Sequence, residues 1–229
     1  QPVHRTIAEF LGAEFMADRI RNGLPVTRAL ALMCAPDGAP ISALRGLFAW
    51  LMCHLGADAE PLVARDPYAI ATYGDGASLP PAVQIAIWSA LVKASDPWFL
   101  SSEEERGAFN GLANKSTRPA LLAILKDPQS SSHLVVACLE AIAAQTDDLG
   151  LDAEIAAHAF AANDNTWLRS TALRALLRHG NPTVAEDAER RLAAVTNDLS
   201  AASLRITLLR ESARPSSFTA RAISIIEQF

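Results

Sequence analysis

The chain is poor in β-branched residues, aromatics, cysteine and net positive charge. Its 229 residues include 9 Val and 13 Ile, against 44 Ala and 29 Leu. An all-β fold draws on Val, Ile, Thr and aromatics, so this balance excludes it and favours helices. The net charge is only -5 and half of the residues are hydrophobic, which excludes intrinsic disorder. No hydrophobic run approaches the roughly 18–20 residues of a membrane span, and the uncharged stretch at residues 46–57 is too short and contains His54. A pI near 5.5 disfavours a nucleic-acid-binding class, whose domains are usually basic. The three cysteines, at 34, 53 and 138, form no framework. They predict reduced thiols, a cytoplasmic setting and small buried hydrophobes.

Helical punctuation is plentiful. Breakers recur every 12–20 residues, among them Gly23-Leu24-Pro25, Asp66-Pro67, Gly74-Asp75-Gly76, Asp127-Pro128 and Gly180-Asn181-Pro182. Proline disfavours the helical region for the residue before it, and glycine leaves that region freely. Between breakers, apolar residues fall at one-face helical spacing, as in Leu168, Ala172, Leu173, Leu176 and Leu177. The pattern predicts helices at about 3–21, 41–56, 58–64, 80–94, 102–112, 117–126, 131–145, 151–162, 166–179, 182–196, 200–212 and 217–228, with short turns at 24–34 and 67–73. Thr166, Asn181 before Pro182, and Ser101 with Glu104 are the expected N-terminal caps.

The second half repeats itself. Leu134-Val135-Val136-Ala137-Cys138-Leu139-Glu140-Ala141-Ile142 aligns with Leu168-Arg169-Ser170-Thr171-Ala172-Leu173-Arg174-Ala175-Leu176, 34 residues later, and with a segment starting at Leu204 after a further 36. A two-helix unit of this size cannot bury its apolar face alone, so it stacks on its neighbours. The run Leu121-Leu122-Ala123-Ile124-Leu125-Lys126-Asp127-Pro128, followed by the Leu134 helix, resembles a HEAT repeat. That resemblance spans roughly residues 97–212 and speaks to architecture. The expected fold is therefore all-α: an α-solenoid of HEAT-like helix pairs, right-handed, with a less regular first half. The expected division is 1–95, an irregular helical region, and 96–229, the repeats.

A second resemblance lies at the start. Val3-His4-Arg5-Thr6-Ile7-Ala8-Glu9-Phe10-Leu11-Gly12-Ala13 is similar to the His-Arg-x-x-x-Glu-Phe/Tyr-Leu-Ala-Ala segment of NACHT and related STAND NTPases. His4, Arg5, Glu9 and Phe10 carry the match, and Gly12 departs from it where Ala is usual. The resemblance implies a segment that follows a nucleotide-binding and winged-helix module and leads into a helical sensor array. It implies a bacterial parent used in defence or signalling. Gln1-Pro2 is not a natural start, and Ile223-Ser224-Ile225-Ile226-Glu227-Gln228-Phe229 ends without a polar cap, so the chain reads as a fragment of such a parent.

Chemistry-bearing patterns are missing. No Gly-Lys pair exists, so no phosphate-cradling P-loop lies in this chain. No Cys-x-x-Cys or His-x-x-x-His spacing offers a metal site. No serine or cysteine sits in a nucleophile elbow. The expectation is a non-enzymatic chain with no cofactor. Charge is uneven: residues 1–164 sum to -8 and residues 165–229 to +3. Arg169 matches Arg205, and Arg174 matches Arg210, in the repeat alignment. With Trp167 and Arg178 they suggest a binding face able to grip an acidic protein or a phosphate-rich ligand. The expected function is a protein-interaction or ligand-sensing arm, partnered by a ligand or protein on its surface and by the parent's NTPase domain, with no membrane contact. The alternatives are a HEAT-like nucleic-acid-binding protein and a passive scaffold.

Overall fold

The computed structural model describes residues 2–94, 108–145, 147–161, 165–179, 182–194 and 199–212. Among them the chain is all-helical, with eleven α-helices, three 3₁₀ segments and no strand beyond an isolated bridge between Cys34 and Pro40. Of these helices, none is long and apolar enough to cross a membrane. The expected helix at 217–228 and the caps at Ser101 and Asn181 lie outside the described residues. Contacts group the chain into two compact units, Gln1–Leu121 and Leu122–Phe229.

In the first unit, α1 spans Pro2–Arg21, α2 Val26–Leu30, α3 Arg45–Leu55, α4 Pro67–Tyr73 and α5 Pro81–Lys93; α6, Arg118–Lys126, begins at its end. Helix α3 is the hub, packing against α1, against α4 and against the 3₁₀ segment Gly56–Arg65. Its sequence explains this: Phe48, Ala49, Leu51 and Met52 are all fully buried, so both flanks of the helix are apolar. Gly23 ends α1 at φ 99°, with its N–H donating to the Ile20 carbonyl and that of Leu24 to the Arg19 carbonyl, a Schellman closure. The Asp66 carboxylate accepts from the Ala69 N–H at 2.8 Å and Pro67 follows it. Residues 67–73, expected as turns, are thereby a capped α-helix.

Two further expectations change. The helix expected at 58–64 is the 3₁₀ segment Gly56–Arg65. Pro61 stands inside it and lacks the N–H that an α-helical bond there would need. The described end of the helix expected at 102–112 is a run of turns at 108–111. Phe109 has φ 69° and Gly111 has φ 80°. Both lie in the left-handed region, which breaks a helix and costs a bulky residue about 1–2 kcal/mol.

The second unit contains α7 (Ser132–Ala143), α8 (Asp152–Ala159), α9 (Thr166–His179), α10 (Pro182–Ala194) and α11 (Leu199–Ser212). Helix α9 packs against α7, α8 and α11, and α10 touches both α9 and α11. Small residues allow the approach: Ala137, Ala141, Ala172, Ala175 and Ala201 are all buried. Contacts between the alternate helices α7, α9 and α11 recur at a spacing of 33 or 34 residues. Glu140 pairs with Arg174, 34 residues on, Arg178 with Glu211, 33 on, and the hydroxyls of Ser170 and Ser203, 33 apart, lie at 3.5 Å. The His133 and Trp167 rings meet edge-on, 5.7 Å between centroids. The cap of α9 is Asn165 and not Thr166. Its Oδ1 accepts from the Leu168 N–H at 2.8 Å, while Thr166 is already the first helical residue.

Candidate interaction surfaces

The N-terminal motif is a docking device between α1 and α3. Arg5 donates from Nε to Glu9 Oε1 at 2.9 Å and from Nη2 to the Ala43 carbonyl at 2.9 Å. The Glu9 carboxylate lies against Gly46, where a Cβ would collide with it. Gly46 is in the first turn of α3, so the carboxylate sits at the positive end of that helix. Phe10 meets the edges of Trp50 and His54 at 5.1 and 4.7 Å. A Cβ on Gly12 would stand 3.3 Å from Leu47 Cδ1, close enough that an alanine there requires a small shift. The His4 side chain lies outside the described residues. The opposite face of α1 carries Ile7, Leu11 and Phe15, at a spacing of four residues, with exposures of 50%, 54% and 66%.

The six residues of the expected binding face do not share one environment. Arg169 is 8% exposed and donates from Nε to the Ala159 carbonyl at 3.4 Å. Ala159 is the last residue of α8, so the guanidinium caps the negative end of that helix. Arg205, its repeat counterpart, donates from Nη2 to the Leu192 carbonyl at 3.2 Å, near the end of α10. A histidine plays a similar part on α6: His158 Nε2 lies 2.9 Å from the Leu125 carbonyl. Arg174 is half-buried and Arg178 exposed, and each meets a glutamate, Glu140 at 3.0 Å and Glu211 at 3.2 Å. Trp167 and Arg210 are exposed. The alignment of Arg169 with Arg205 therefore reflects a shared structural task, whereas Arg174 meets Glu140 and its counterpart Arg210 is exposed. Two of the acceptors are backbone carbonyls, which carry no sequence signature.

Elsewhere the three cysteine thiols are all shifted upward. Burial pushes the Cys138 thiol far above its ordinary value. Burial also raises Cys53, against a lowering hydrogen bond with the Asp75 backbone, and Cys34, against the opposing pull of Arg65. A thiol so shifted holds its proton at neutral pH. Arg45 binds Asp66 with both Nε and Nη2, at 2.8 and 3.0 Å, and its guanidinium carbon lies 5.2 and 5.7 Å from the Tyr68 and Tyr73 ring centroids. That cluster joins the start of α3 to the cap of α4, a structural task. Among the described residues, no group of three His, Cys, Asp or Glu could hold a metal ion.

Comparison with protein families, with curated proteins and with solved structures finds no match for the chain.

Proposed function

We propose that this chain is a non-catalytic helical-repeat arm of a larger NACHT/STAND-type NTPase, binding a protein or ligand on its surface. The repeats form a right-handed solenoid of HEAT-like pairs. The observation that carries this reading is the regular 33–34-residue spacing of the contacts joining α7, α9 and α11. The contact spacing equals the 34-residue sequence offset between α7 and α9 and is three residues short of the 36-residue offset between α9 and α11, a near-regular period of the kind stacked, self-similar units produce. The N-terminal motif supports the family part. Arg5, Glu9 and Phe10 act together to seat α1 on α3, a task that a motif leading into a helical array would need. Fold alone is a weak warrant for function, so the reading rests on the motif and the period jointly.

By this reading the parent's own module hydrolyses ATP or GTP and the arm supplies recognition. The coding sequence immediately upstream of Gln1 tests it: a P-loop and a winged helix are expected there, and an initiation codon in their place removes the reading. Nucleotide turnover by the purified chain alone would also remove it. The nucleic-acid alternative asks for cations that face outward, and four of the five candidate arginines are engaged by carbonyls or glutamates. A mobility shift that weakens steeply as salt rises would reinstate it.

A further inference from the structure

Residues 108–117 lie across the first unit as turns, with neither helix nor strand of their own. We infer that they form a releasable strap, a local two-state element that comes off the α4–α5 body without unwinding either helix. The inference goes beyond the binding role proposed above.

The strap is held by apolar plugs and a set of polar clips. Leu112 is fully buried and Ala113 nearly so. The largest plug is Phe109, 1% exposed, whose ring centroid lies 6.1 Å from that of Tyr68 and 6.0 Å from that of Trp88. Its N–H donates to the Ala71 carbonyl at the end of α4 at 3.0 Å. The clips come from α5. Trp88 Nε1 donates to the Leu112 carbonyl at 2.9 Å, and Gln84 Nε2 donates to the Gly76 and Gly111 carbonyls at 2.7 and 3.3 Å. The Gln84 oxygen accepts from Asn114 Nδ2 at 2.7 Å. Gly111 passes so close to Ala77 that a Cβ there would overlap its backbone.

These contacts are side-chain clips, one backbone bond and the buried Phe109 and Leu112 side chains, laid onto helices whose own ladders are complete without them. Release therefore breaks no helical hydrogen bond. Elements fastened in this way open below the free energy of global unfolding. Phe109 is also seated with φ at 69°, a conformation that an L-phenylalanine leaves spontaneously once its ring is free. Backbone strain of this kind is characteristic of switch segments. Release would bare the Tyr68–Trp88 cluster and free the start of α6, which follows the strap directly.

Native-state hydrogen exchange on the whole chain tests this. The amides of Phe109 and Leu112 and the indole N–H of Trp88 are expected to exchange together. Their dependence on low urea should be much shallower than that of the Ile87 and Leu91 amides inside α5. Phe109→Ala is expected to speed Trp88 indole exchange by about tenfold or more, from the lost ring burial, while Ile87 and Leu91 stay within about twofold. Gly111→Ala, which strikes the same seat through backbone overlap, is expected to act alike. A strap that shares the urea dependence of α5 in the unsubstituted chain overturns the inference. So does an equal acceleration of the α5 amides in either variant.

Discussion

Arg169 separates a structural arginine from a ligand-binding one. It is nearly fully buried, and its guanidinium caps the end of α8 through the Ala159 carbonyl. A hydrogen bond to a charged group contributes about 1.5–3 kcal/mol, and at 3.4 Å the lower figure of about 1.5 is appropriate. Arg169→Ala also strips the two outer stem methylenes from the interior, at about 0.8 kcal/mol each. The expected loss is about 3 kcal/mol, and Arg169→Met, which keeps a stem of similar length, should lose about half as much. With a urea slope of about 2 kcal/mol/M, the alanine variant unfolds about 1.5 M earlier and the methionine variant about 0.8 M earlier. Urea titration followed by far-UV circular dichroism reads both. An outward-facing, ligand-gripping Arg169 would leave stability within about 0.5 kcal/mol. That result, or a methionine variant as weak as the alanine one, would refute the cap.

The remaining expectations follow from the same geometry. Asn165→Ala should cost about 1 kcal/mol in thermal or urea unfolding, while Thr166→Ala, one residue inside α9, costs much less. Gly46→Ala drives a Cβ into the Glu9 carboxylate, the far end of a side chain that can swing aside, and should cost under about 1 kcal/mol. Adding Glu9→Ala should recover part of that loss, and a double-mutant cycle with no coupling would contradict the contact. Glu140→Gln should cost under about 1 kcal/mol, shrinking as salt rises, because the Arg174 pair is only half-buried. Cys138 sits as a neutral buried thiol, its folded pKa raised above the ordinary 9.0. Its contribution is complete below the unfolded thiol pKa and declines above it. Stability of the native chain should therefore fall above about pH 9. Cys138→Ala should flatten that decline, and thiol reagents at neutral pH should reach Cys138 only on unfolding.

Helices and their breaks were legible in the residues because those signals are local. The Asp66-Pro67 pair reads as a boundary from its own chemistry, and the structure turns it into a capped helix start. The 34-residue register was legible for the same reason, since equal apolar patterns bury equal faces. The choice between Thr166 and Asn165 as cap was not, because both side chains have the chemistry and only the backbone path selects one. The turns at 108–111 were hidden too. A helical pattern there is broken by Phe109, whose left-handed conformation is held by the distant Ala71, Tyr68 and Trp88.

Composition and periodicity by themselves determined that the chain is helical, where most helices begin and end, and which segments repeat. These follow from the 3.6-residue turn, from backbone preferences and from burial of an apolar stripe, none of which needs a neighbour. Tertiary structure alone decided what each charged side chain does. An arginine reads the same in sequence whether it faces solvent, a glutamate 34 residues away or the bare carbonyls at a helix end. The partner is supplied by packing, and packing sets whether the charge is offered to a ligand or spent within the fold.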